Sequence, residues 1–130
     1  MNTAFLWNFL LRGYLTSIAV ETPVLLVGLS HRHSLGRRLF AGVWLTACTY
    51  PIVILVMPVL MNNCPEWQYL AVAETFAPAA ECALFALAFY TRRDPSRSAK
   101  VQDMITIILA NLASFGFGVF AARMGWKWLA

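Results

Sequence analysis

Hydrophobic residues gather along this chain in four long runs separated by short polar stretches, and each run is close to the length of a membrane crossing. The runs cover residues 4–29, 39–61, 68–90 and 104–122, against the roughly 20 apolar residues a helix needs to traverse the hydrocarbon layer. The pattern predicts an all-α membrane protein: a four-transmembrane-helix bundle in which residues 1–130 form a single integral membrane domain.

The polar positions inside the runs carry the detail. In the first, Arg12 and Gly13 interrupt the apolar pattern, which we read as one long tilted helix with Arg12 snorkelling toward the headgroups. Gly13, Ser17 and Glu21 recur every four residues on one face, small and polar as helix contacts in lipid tend to be. The second run holds Thr46, Thr49, Tyr50, Pro51 and Pro58. A proline frees a carbonyl that a neighbour must satisfy, and Thr49 and Tyr50 are placed to do so. The third holds Glu74 and Glu81, seven residues or two helical turns apart and so on nearly one face. Pro78 lies between them, its ring directed at the carbonyl of Glu74, which predicts a bend with a freed oxygen beside an acid. In the fourth, Ala110, Ser114, Gly118 and Ala122 keep a four-residue spacing, the small-residue pattern that lets helices pack closely. Trp126 and Trp128 follow as an interfacial anchor.

Composition sharpens this picture. Apolar side chains make up 60% of the chain and charged ones 12%, half the soluble average of about a quarter, and no polar stretch is long enough for a soluble catalytic domain. The net charge of +4 resides in two loops: Arg32, Arg37 and Arg38 in one, Arg92, Arg93, Arg97 and Lys100 in the other. Loops so charged stay cytoplasmic. Both termini are then expected on the non-cytoplasmic side of a bacterial inner membrane, and the charge implies no nucleic-acid partner. The N-terminal segment lacks the basic start and small-residue cleavage site of a secretory signal, so it is expected to remain. Cys48, Cys64 and Cys82 are odd in number and lack metal-site spacing; they read as small hydrophobes.

Depth along a helix follows from the rise of about 1.5 Å per residue. Glu21 precedes Arg32 by eleven residues and Glu81 precedes Arg92 by eleven, which sets both acids near mid-bilayer. Thr49 and Ser114 fall at a similar level on the other two helices, Asn111 one turn nearer the loop, and Glu74 two turns farther out. Glu21, Glu74, Glu81, Asn111, Ser114, Thr49 and Tyr50 are therefore the candidates for binding protons or a substrate. Hydroxyls and amides in spans also serve as glue between helices. Carboxyls are different: a charge in hydrocarbon is costly and turns toward partners or water, and an acid withdrawn from water holds its proton more tightly, as a proton-exchanging site requires. Glu21, Glu74 and Glu81 also offer oxygen ligands for a hard cation, and His31 and His33, flanking Arg32 in the first basic loop, are further candidate metal ligands. No Glu-x-x-His spacing of a dimetal bundle occurs, and the sequence names no cofactor. AVETP at 19–23 and AVAETFAP at 71–78 echo one another, as two parallel hairpin repeats would.

Length and span number resemble the small multidrug transporters, which function as dimers and carry a membrane-embedded Glu in the first helix; on that likeness Glu21 is the matching residue and a homo-oligomer is implied. The fluoride channels share four spans and this length, but their glycine-rich signature is absent. Glu74, Glu81 and RSAKVQDM at 97–104 are similar to bacterial diacylglycerol kinase, where two membrane glutamates seven apart precede an RAKDM-like segment. That family has Asn between the acids where this chain has Ala77, and three spans. Three functions are consistent with these features: an oligomeric proton- or cation-linked transporter or channel, a non-catalytic subunit docked in a larger membrane complex, and an intramembrane enzyme acting on a lipid or with a metal.

Overall fold

The structure, a computed structural model, describes residues 3–90 and 95–126. Among these there is no strand. Four helices carry the fold: α1 (Thr3–Gly28), α2 (Leu35–Leu60), α3 (Glu66–Phe89) and α4 (Arg97–Arg123). Each is long and apolar enough to cross a bilayer. They form a ring in chain order, with α1 packed extensively on both α2 and α4, and α3 closing the ring against α2 and α4 alike.

Capping explains why two helices begin ahead of their apolar runs. Ser34 accepts a hydrogen bond from the Arg37 amide at 3.3 Å, and Ser96 accepts one from the Ala99 amide at 3.2 Å. Each satisfies a donor that a helix start leaves open. Helix α4 therefore starts at Arg97, and Asp103, placed in a loop by its charge, lies one and a half turns inside it. At the far end of α4, Gly125 adopts φ +66° while its amide and that of Trp126 bond back to Ala122 and Ala121. This left-handed glycine ending folds Trp126 onto Phe117 and Phe120. Trp128, Arg92 and Arg93 lie outside the described residues.

The prolines of α3 and α2 sit in different local structure. Helix α3 runs unbroken through Pro78. In α2 the segment Ile52–Val56 is π-helical, wound between Pro51 and Pro58, and the Met57 amide reaches back five residues to the Ile52 carbonyl. The next such bond would run from residue 58 to Val53, but Pro58 has no N–H. The Tyr69 hydroxyl, from α3, supplies the missing donor to Val53 at 2.9 Å. Thr49 and Tyr50 do not take that role; Thr49 bonds the Leu45 carbonyl and Glu81.

Close helix contact also falls elsewhere than on the predicted stripe. Ala110 is buried and Ser114 bonds Ser17 of α1 at 3.1 Å, but Gly118 and Ala122 are exposed, and a side chain at Gly118 would meet open space. The stripe thus packs at its first half only. The tight crossings lie at Gly42 against Thr22 and at Gly28 against Thr106, where a Cβ would overlap the threonine. Both bring α1 close to a neighbour, as small residues allow in lipid.

The bundle is turned outward in polarity. Val27, Leu35, Leu60 and Leu87 are more than 70% exposed, while Glu21, Thr46, Thr49, Glu81, Asp103 and Asn111 are buried. Its two ends differ as well. The buried apolar cluster, Leu25, Leu29, Ala41, Leu45, Phe85, Ile107 and Ala110, occupies the half next to the two basic connections. The other half is hollow.

Candidate functional site

The hollow half is a cavity of about 710 Å³. Its floor is the mid-bundle polar belt, its walls include Tyr50, Tyr69, Glu74 and Phe115, and its outermost lining residues, Glu66 and Trp126, are exposed at the helix ends. Every residue proposed from the sequence for substrate or proton binding lines this one space: Glu21, Glu74, Glu81, Asn111, Ser114, Thr49 and Tyr50. The depth argument from helical rise thus brought together side chains from all four helices.

On the floor each acid meets a threonine of α2. Thr46 Oγ1 lies 2.9 Å from Glu21 Oε2, and Thr49 Oγ1 lies 2.7 Å from Glu81 Oε1. Asn111 Nδ2 of α4 donates to Glu81 Oε2 at 2.7 Å. The two threonines stand at the same time 2.9 and 3.1 Å from the carbonyls of Gly42 and Leu45, one turn back. A hydroxyl has a single proton to donate, so each threonine divides it between its own helix and an acid. Glu74, half-buried and two turns farther out, makes no hydrogen bond to another described residue. Tyr50 packs its hydroxyl end against Gly13, which is why that position on α1 has no side chain.

A second polar group, which the sequence did not reveal, lies below the apolar cluster. Asp103 is completely buried. Its Oδ1 accepts from the Ser30 amide at 2.7 Å, and its Oδ2 is 3.2 Å from Ser30 Oγ, 2.9 Å from His33 Nε2 and 3.0 Å from the Tyr90 hydroxyl. Arg38, also buried, donates to the carbonyls of Leu26, Ser30 and His33, while Gln102 donates to that of Gly28. These bonds close the C-terminal end of α1, whose last carbonyls lack partners within the helix. The only signal in the sequence was an acid directly before an apolar run, one that formal charge assigns to the loop.

The two histidines lie apart from the cavity carboxyls and apart in their own contacts. His33 is committed to Asp103, and His31 sits on the surface 3.5 Å from Arg38 Nη2. Both belong to the basic end, away from the carboxyls of the cavity. Among the described residues no three His, Cys, Asp or Glu side chains are grouped so as to hold a metal ion.

Comparison with known proteins places nothing beside this arrangement: no family model matches the chain, and no curated protein and no solved structure matches it. The class that fold and site define is an all-helical protein with four helices able to span a membrane and an acid-lined cavity between them.

Proposed function

We propose that the chain is a small transporter or channel of the bacterial inner membrane, acting as a homo-oligomer, in which Glu21, Glu74 and Glu81 bind and release protons or a cationic substrate. The observation that carries this reading is that three carboxyls, from α1 and α3, line a single cavity reaching from mid-bundle to one end. Acids are expensive in hydrocarbon and mark pathways when they face a shared space. Arg32 and Arg37 are exposed at the closed end, and by the positive-inside rule they favour its facing the cytoplasm. The cavity then opens outward, both termini lie outside, and the packed half is the barrier that a transport cycle has to open.

Reconstitution into liposomes with an imposed pH gradient tests the reading. The native chain should dissipate the gradient faster than empty vesicles, alone or when a cation is supplied, and Glu81→Gln and Glu21→Gln should abolish the difference. Flux that persists in Gln variants of all three acids would remove the proposal.

One observation favours a second reading, that of a non-catalytic subunit. Gly116 faces open space on an exposed stretch of α4 and Gly118 faces it at the rim of the cavity, a surface without side chains that suits docking in a larger complex. Under that reading Gly118→Leu releases co-purifying partners and the three Gln variants are silent.

A further inference from the structure

The chemistry of the cavity narrows what it can hold. Its described lining has four carboxyls, Glu21, Glu66, Glu74 and Glu81, and no Lys, Arg or His. That sign favours a cation and rejects an anion. A compact inorganic ion is poorly matched, because it needs several oxygens converging on one point, whereas these acids are strung along the cavity without forming a group of three that could hold a metal. The space itself, about 710 Å³, falls within the roughly 300–1,000 Å³ of small-molecule sites. It is also walled largely by apolar and aromatic residues, among them Tyr50, Tyr69 and Phe115. Aromatic faces attract organic cations and are the usual lining for quaternary ammonium groups.

The acids are not equivalent as receivers. Glu81 is engaged by Thr49 and Asn111, and Glu21 by Thr46. Glu74 is half-buried, lines the cavity and makes no hydrogen bond to another described residue. Tyr69, five residues earlier on the same helix, is held in place by its bond to the Val53 carbonyl, so a ring of fixed position accompanies an acid with open valences.

We propose that the cavity binds an organic cation with an apolar body, its charged head received by Glu74 and its body by the aromatic wall. This rests on the transport reading and names the substrate class for the same site.

The test uses the full chain in nanodiscs of zwitterionic phosphatidylcholine, titrated with benzyltriethylammonium by calorimetry. Saturable binding is expected, with tetramethylammonium, which has the charge without the body, and benzyl alcohol, which has the ring without the charge, each binding at least about tenfold more weakly. Glu74→Gln should weaken the probe by about tenfold or more, as loss of a partner charge does. Glu74→Asp should restore most of it, which separates charge from folding. No saturable binding, equal binding of tetramethylammonium, or binding unchanged in Glu74→Gln would overturn the proposal. The liposome assay keeps the two failures apart. Carboxyl-dependent proton flux without probe binding defeats the substrate class alone, while Glu74-dependent probe binding without any flux defeats the transport reading and leaves the binding site.

Discussion

Asp103 and Glu81 are both carboxyls buried between helices, yet their surroundings differ in kind. Asp103 receives four hydrogen-bond contacts, from Ser30 twice, His33 and Tyr90, and with Arg38 joins the end of α1 to the starts of α2 and α4. It does not line the hollow half. Glu81 and its companion Glu21 face a cavity, and the threonine beside each divides one proton between an acid and a backbone carbonyl. One group is closed and structural, the other open on one side. The difference teaches that burial of an acid in a membrane bundle does not by itself mark a site; what marks it is the space next to it.

Substitutions can break this comparison, beginning with its closed side. Asp103→Ala leaves His33, Tyr90 and the buried Ser30 amide without their acceptor. Removing one member of a buried charged network costs about 3–5 kcal/mol, a large part of the stability of a small domain. Unfolding by sodium dodecyl sulfate, monitored by circular dichroism, should show that loss. A change below about 1 kcal/mol would mean that the group is not the clamp described here.

The next largest effect belongs to helix crossing. At Gly42 a Cβ would press on Thr22, including its backbone. Gly42→Leu should therefore cost about 1–3 kcal/mol or more through overpacking. Gly118→Leu, which meets open space at the rim of the cavity, should stay within about 0.5 kcal/mol, as surface substitutions do. Equal losses at the two glycines would show that the sequence stripe, and not the Gly42 crossing, sets the packing.

Tyr69→Phe probes the boundary between the two halves of α2. It removes the donor to Val53 that compensates for Pro58. The expected cost is about 1 kcal/mol, with increased hydrogen exchange near the π-helical segment as the local readout.

What the sequence made legible follows from where the constraints are local. Four spans are written in four long apolar runs, and the level of Glu21, Glu81, Thr49 and Ser114 follows from counting residues at a fixed rise. The partners of Asp103 were not legible, because Ser30, His33 and Tyr90 reach it from across loops that no periodicity connects. The same holds for Tyr69, whose role depends on the register of a π turn in another helix. The small-residue stripe misled at Gly118 and Ala122 because spacing shows which residues share a face but not which face meets a neighbour. Gly28 and Gly42, at two of the close contacts, belong to no repeat, whereas Gly13, which meets Tyr50, lies on the predicted face of α1.

A small change in stability is also expected at Glu81, and it sharpens the comparison most. In Glu81→Gln the side chain keeps its size. Its oxygen can still accept from Asn111 Nδ2, and its amide can donate to Thr49 Oγ1, leaving the threonine proton wholly to the Leu45 carbonyl. No buried group loses its partner, so unfolding should move by less than about 1 kcal/mol. The amide cannot gain or release a proton in the physiological range, so flux should fall to the level of empty vesicles. A variant that is stable and inactive places the function of this carboxyl in its charge. A variant that unfolds like Asp103→Ala would instead make Glu81 a second clamp, and the open side of the cavity would lose its meaning as a pathway.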